Sequence, residues 1–387
     1  MRAWRHVWPG SLRVVLLVLT GAIALAVLAQ PPGVATPASS SGGAAVCYLP
    51  LIVRNHPPAP TATPTLTVTP TLTVTPTPRP TLTPTPAPLA VVTRIPLGSP
   101  QGVAADRAAG LVYVADDATN TIVVIDDATQ TVVRTMAVAG DVQALAYDPA
   151  TNRLFTGYSR PIRVLDAATG AQLDTINQSV YGDHEIAINP VNRKIYLGDW
   201  AGLVGSADKV LIYHADTLAK LGEVSLGVDP AFQRVGVGVN TRTGMAYGTY
   251  TAFDEVTFID GTTNRVVRVV PLAEGEDIWL PPGVAVDSIT DRIFVQCAHE
   301  TVVLDGTSGE RLGTITGYYN TRATPGSGRL YQALDNRFRV LDGASFAIVA
   351  QLTLPAYMGY GGMDLIPASR RVYVAVSYGD QVAVIQD

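Results

Sequence analysis

The chain is short of the residues that cross-linking and catalysis draw on. Two cysteines in 387 residues exclude a disulfide framework, and Cys297, inside an apolar segment, reads as a small buried hydrophobe. Of the five histidines only His184, His214 and His299 lie beyond residue 89, too few for a histidine-rich copper site. No zinc-protease helix, serine-hydrolase elbow, phosphate loop or Cys-x-x-Cys pair occurs. Acidic residues are missing from the first 88 positions, which carry five arginines. The remainder therefore holds 22 Lys and Arg against 32 Asp and Glu, a net of −10 where the whole chain has −5. An acidic segment without a basic stripe excludes nucleic acid as an expected partner.

The first 88 residues are organised by composition. Arg2, Arg5 and Arg13 lead into an apolar run from Val14 to Ala29 that ends Val27-Leu28-Ala29. A basic lead, a short hydrophobic core and a small-residue cleavage site read as a secretory signal over 1–29. The alternative, an uncleaved membrane anchor, falls short of the ~20 residues of a full span. Either way the rest of the chain is expected outside the cytoplasm, extracellular or at the cell surface. Residues 30–56 read as a tether with a brief apolar island, Cys47 to Asn55. From 57 to 88 Pro and Thr dominate, with TLTVTP in tandem at 65–70 and 71–76. Proline fixes φ and donates no backbone hydrogen bond, so this is an extended spacer. At ~3.1 Å per residue it reaches roughly 100 Å, and its threonines suit O-glycosylation.

From 89 to 387 one pattern recurs seven times. A short apolar segment turns into a second strand centred on an aromatic: Tyr113, Phe155, Tyr196, Tyr247, Phe294, Tyr331 and Tyr373, spaced 37 to 51 residues apart. A third strand follows and ends at a polar residue: Asp126, Asp166, His214, Asp260, Asp305, Asp342 or Gln386. Repeats of this period made of short strands predict an all-β, seven-bladed β-propeller of four-stranded antiparallel blades. Seven residues before each aromatic stand Asp106, Asp148, Asn189, Asn240, Asp287, Thr324 and Ile366, the first five being turn formers. A constant offset implies one reused hairpin, because a one-residue slip inverts every buried face. The last unit stops after its third strand. AVVTRIPLG at 90–98 resembles a fourth strand, RVVRVVPL, and is predicted to complete the last blade and close the ring.

YVADDATNTIVVIDDATQTVVRTMAVAG (Tyr113 to Gly140), PQGVAADRAAGLVYVAD before it and the closing RRVYVAVSYGDQVAVIQD together resemble the YVTN-type propeller repeat. The Tyr-Val-Thr-Asn string itself is absent, so the resemblance rests on repeat grammar over about 89–387. It implies the fold. Related propellers include binding proteins, surface-layer proteins, lactonase-like enzymes and non-catalytic dehydrogenase subunits, and fold does not fix function.

Chemistry is expected where units depart from the repeat. Blade three carries an insertion, DWAGLVGSAD (Asp199 to Asp208), exposing Trp200, and blades four and five have long lead-ins with Phe232 and Trp279. Exposed aromatics beside carboxylates suit a protein or glycan partner; the competing reading packs them into their own loops. On the inner strands, a position that is Ala or Gly in five blades is Arg322 in blade six and Asp364 in blade seven. An ion pair between them is expected near the axis, or Arg322 with Tyr319 and Asn320 holding an anionic group. His184 and Glu185 open the inner strand of blade three. A metal shared by His184 and His299 is not expected, since blades three and five are not neighbours. No cofactor is expected beyond a local calcium ion in acidic loops such as Asp116/Asp117 or Glu274/Glu276/Asp277.

Two functional readings result. One is an extracellular, non-enzymatic binding or scaffold module presenting the rim of blades three to five. The other is a lactonase-like hydrolase or another small-molecule enzyme using carboxylates at the channel mouth. A membrane partner is expected only if the N-terminal run is retained.

Overall fold

The computed structural model describes residues 88–158, 161–177, 185–199, 207–228, 235–250, 255–272, 283–297, 299–317, 320–324, 328–358 and 361–387. The signal, tether and Pro/Thr segments therefore lie outside the described residues. The described chain forms seven four-stranded antiparallel sheets. Their inner strands, Pro100–Asp106, Val142–Asp148, Ile186–Asn189, Val235–Val239, Val284–Asp287, Asn320–Thr324 and Met363–Ile366, touch in that order, and the last touches the first. That closed circuit is a seven-bladed β-propeller.

Ring closure follows the predicted route. Ala90–Pro96 pairs antiparallel with Gln381–Gln386, from Ala90 opposite Gln386 to Pro96 opposite Gln381. Leu97 N–H then donates to the Asp380 carbonyl at 2.8 Å. Ile95 is buried beneath this strand with Tyr373, Val382 and Val103, so the strand fills the joint between the last and first blades.

The seven aromatics face seven inner-strand residues in one register: Ala104, Ala146, Ala187, Gly238, Ala285, Arg322 and Asp364. All seven aromatics are buried, each in the cluster between its own blade and the next, as Tyr113 packs with Val142 and Leu154. Asp106, Asp148, Asn189, Asn240 and Asp287 accept backbone N–H groups two residues on, at 2.9–3.1 Å, the expected side-chain capping of tight turns. A small residue is forced where inner strands converge. A Cβ on Gly238 would lie 2.8 Å from the Val284 carbonyl oxygen of the next blade.

Two regularities were not legible in the repeat. Each joint is clamped by a donor reaching the turn after the next blade's third strand. Arg134 Nη2 reaches the Ala167 carbonyl at 2.8 Å, Arg153 that of Ala215 at 3.4 Å, and Arg371 that of Asp127 at 2.6 Å. Lys194 and Arg292 donate to the Gly261 and Gly343 carbonyls. Tyr247 Oη donates to the Gly306 carbonyl at 2.9 Å, and Tyr331 Oη to the Asp387 carboxylate at 2.8 Å. The tyrosine hydroxyl takes the role in blades four and six, and an arginine or lysine takes it in the other five, including blades two and five, whose Phe155 and Phe294 have no hydroxyl.

The second regularity is a β-bulge in every outer strand pair, opposite the two residues before the end of the third strand. The extra residues are Val133, Leu173, Leu221, Val267, Leu312, Val349 and Val92, all exposed. Bulges twist a free edge away from pairing with another chain, and here they turn one apolar residue per blade outward.

Candidate functional site

The inner strands enclose an axial channel of about 760 Å³. Its wall is mostly backbone and small or β-branched side chains, among them Val103, Ala187, Val237, Ala285 and Ala323. Polar groups gather toward its ends. Gln101, Gln143, Glu185 and Asn320 precede or open inner strands, and Arg107, Thr241 and Ser288 follow them.

The faces of the strands decide which candidates meet. Every inner-strand residue opposite an aromatic points toward the next blade, because it shares the aromatic's face of the sheet. Arg322 accordingly donates from Nε to the Met363 carbonyl of blade seven at 3.0 Å. Asp364 points the same rotational way, to blade one, where Oδ2 accepts Ala105 N–H at 3.0 Å and Oδ1 pairs with Arg107 Nη2 at 2.6 Å. The ion pair expected between Arg322 and Asp364 is therefore replaced by Arg107–Asp364. Two side chains facing the same way round a ring cannot face each other.

Residues two positions away obey the same rule. Glu185 Oε2 accepts Val237 N–H of blade four at 2.9 Å, and Asn320 Nδ2 donates to the Gly361 carbonyl of blade seven at 3.3 Å. Inner strands are sheet edges, so such contacts satisfy backbone groups that would otherwise lack partners.

Glu185, Asn320 and Arg322 do converge. Although they come from blades three and six, they line one recess of about 40 Å³ off the channel, together with Gln296, Thr321 and Ala285. Gln296 is 5% exposed. It stands two residues after Phe294, where other blades carry Ala115, Gly198, Ala333 and Ala375; a long amide in a column of small residues is the signal that reveals it. Behind the recess, Gln332 Nε2 donates to Thr321 Oγ1 at 3.0 Å and to Thr301 Oγ1 at 3.2 Å, and Arg339 Nε donates to Gln332 Oε1 at 2.8 Å. This buried network holds the wall in one arrangement.

His184, Trp200, Phe232, Trp279, Tyr319 and Glu274/Glu276/Asp277 lie outside the described residues. Both oxygens of Asp116 accept backbone N–H groups, from Gly98 at 3.1 Å and Ser99 at 2.7 Å, while Asp117 Oδ2 accepts from Gln143. Among the described residues no group of three or more His, Cys, Asp and Glu side chains is placed to hold a metal ion.

Beside the blade-three insertion, Asp199 is 8% exposed. Burial pushes its carboxyl up to about 7; Lys209, its partner across the strands, opposes this and Asp208 adds to it.

Comparison with known proteins places the fold. No protein-family model matches the chain, and no curated protein does. Among solved structures, the β-propeller domain of Myceliophteria thermophila Cps50 (Swd1) superposes with a TM-score of 0.63 at 11% identity, covering 78% of this chain and 100% of that domain. Hydrazine synthase of Kuenenia stuttgartiensis superposes with a TM-score of 0.64 at 15% identity, covering 75% of this chain and 96% of that one. What is shared is the fold alone.

Proposed function

We propose that this chain is an exported, non-enzymatic β-propeller of the YVTN-repeat type, held away from the cell surface by its Pro/Thr segment. Its loop rim over blades three to five binds a protein or a glycan. The observation carrying this reading is the engagement of two candidate carboxylates beside the channel, the kind of group the enzymatic alternative would need. Glu185 accepts a backbone N–H of blade four, and Asp364 accepts one from blade one and pairs with Arg107. A carboxylate whose oxygens already accept from fixed donors is turned toward the protein and not toward a substrate proton, and a general base must reach that proton. The rim, by contrast, combines the longest departures from the repeat with three aromatics, and loops on a rigid scaffold are where propellers vary.

The test is binding of the purified chain, lacking residues 1–29, to a glycan array and to isolated cell envelopes. Saturable binding lost in the triple variant Trp200→Ala, Phe232→Ala, Trp279→Ala, with an unchanged melting temperature, supports the rim. Turnover of a lactone such as γ-butyrolactone that is abolished by Glu185→Gln or Asp364→Asn in folded protein overturns the non-enzymatic reading.

A further inference from the structure

The joint between blades six and seven carries two tyrosines that the fold does not use. Tyr357 is 57% exposed and Tyr378 74%, and no other exposed large apolar side chain among the described residues is aromatic. Neither ring stacks on another, and neither hydroxyl has a hydrogen-bond partner among the described residues. Their backbone, by contrast, is locked. Leu354 N–H donates to the Asn336 carbonyl at 2.6 Å and Met358 N–H to that of Asp335 at 2.7 Å, which ties the loop to blade six. Ser377 N–H donates to the Met358 carbonyl and Tyr378 N–H to that of Tyr357, both at 3.2 Å, which ties it to blade seven. Leu354 and Met358 are buried beneath. A Cβ on Gly379 would lie 2.8 Å from that of Ala356, so the segments meet in direct contact. Asp335 adjoins this loop through its carbonyl, and Asp380 stands two residues past Tyr378. Both are exposed, and neither carboxylate makes a hydrogen bond or ion pair among the described residues. Elsewhere carboxylates hold their own turns, as at Asp126, Asp166 and Asp342. The cation nearest in sequence, Arg337, shares the strand face of Leu341, which packs toward blade five.

We propose that this patch binds an extended, arginine-bearing segment of a partner protein. A guanidinium lays its plane on a tyrosine face and still presents its N–H edge to a carboxylate. Tyr357 and Tyr378 supply the faces, and Asp335 and Asp380 the carboxylates. Charge complementarity selects the partner. Residues 89–387 hold 22 Lys and Arg against 32 Asp and Glu, a field that repels an acidic segment and draws in a basic one. Lysine brings the charge without the flat face. A neutral glycan stacks on the rings but leaves both carboxylates without a cation. Rings on locked backbone lose little freedom when they bind, which favours affinity. Position agrees as well. The chain enters the propeller at Ala90, opposite Gln386, whereas Tyr378 lies just before Gln381 at the other end of that strand. At ~3.3 Å per residue the patch is about 20 Å from the entry, on the opposite face of the ring. The inference is independent of the rim reading, since these residues belong to blades six and seven.

The experiment titrates the full chain with four fluorescent octapeptides in which glycine alternates with arginine, lysine, citrulline or glutamate. Saturable binding of the arginine peptide is expected, with the lysine peptide several-fold weaker and the other two not binding. The double variant Tyr357→Ser, Tyr378→Ser should weaken the arginine peptide about tenfold or more with an unchanged melting temperature. Phenylalanine at both positions should restore it, since the ring face and not the hydroxyl does the binding. Asp335→Asn with Asp380→Asn should cost about tenfold. The triple variant Trp200→Ala, Phe232→Ala, Trp279→Ala should bind the peptide as wild type does, which separates this site from the rim of blades three to five. Undiminished binding in the double serine variant would reveal diffuse attraction to an acidic surface and overturn the proposal. So would citrulline binding as well as arginine, loss of the peptide in the triple variant, or no saturable peptide binding. Tyrosine-dependent binding of a neutral oligosaccharide in place of the arginine peptide would overturn it in favour of a glycan.

Discussion

Arg193 forks onto Asp148 across the joint between blades two and three, Nη1 to Oδ1 at 2.9 Å and Nη2 to Oδ2 at 2.7 Å. Asp148 is fully buried. Burial alone would raise its pKa, but the guanidinium and Thr151 outweigh it and hold the carboxyl below its usual range. Removing one partner from such a pair leaves an uncompensated buried charge. Arg193→Ala is expected to lose about 3–5 kcal/mol of stability, read from denaturant midpoints. Asp148→Asn in the same background should recover part of that loss.

Ring closure is the next point of failure. Truncation at residue 88 should leave the melting temperature unchanged. Truncation at residue 98 removes the strand paired to Gln381–Gln386 and uncovers Tyr373 and Val382. That shorter chain is expected to lose cooperative unfolding and to aggregate through the bared edge. Ile95→Asp, a charge placed at a buried position, should reproduce the defect at full length. A cooperative melt near the wild-type temperature for the shorter chain would show that the ring closes without this strand.

The pH response divides by sign. Asp199 has a folded pKa of about 7, above its unfolded value of about 3.9. Between those values the folded state holds a proton that the unfolded chain has released, so this group's effect on stability worsens as pH rises from about 4 to 7. Asp126, Asp166, Asp260, Asp305 and Asp342 are held low by N–H and hydroxyl groups of their own turns. Their contribution is present above the unfolded value and is lost as pH falls through their depressed folded values. Thermal melts across pH 3–9, a range of about six units, should show acid loss in both wild type and Asp199→Asn. The variant alone should be flat through neutrality and more stable at the alkaline end.

Packing near the axis gives the fourth prediction. Gly238→Val places side-chain atoms against the Val284 carbonyl and is expected to destabilise by about 1–3 kcal/mol or more. Val267→Thr, at an exposed bulge 56% accessible, should change stability by less than about 0.5 kcal/mol. A larger loss at Val267 would mean that the outer edge is covered in solution.

Much of this was legible before any coordinates. The seven aromatics, their fixed offset from the turn residues and the stray strand at 90–98 encode blade number, register and closure, because side-chain alternation and edge pairing leave few alternatives. Legibility ended at contacts between blades. Arg322 and Asp364 stand in one alignment column of adjacent blades, and adjacency suggested a pair; the shared facing of that column sent each to a different neighbour. Gln296 was readable in principle, as the long residue in a column of small ones, but its column gains meaning only once it faces blade six.

The sequence by itself determined the repeat, and with it the strands, turns and ring. Those follow from local periodicity, which each unit states seven times over. Tertiary structure alone decided that Glu185 of blade three shares a recess with Arg322 of blade six, while Asp364 does not. Distances across an axis depend on how many blades close the circle and which way each face turns, and no single repeat carries that information.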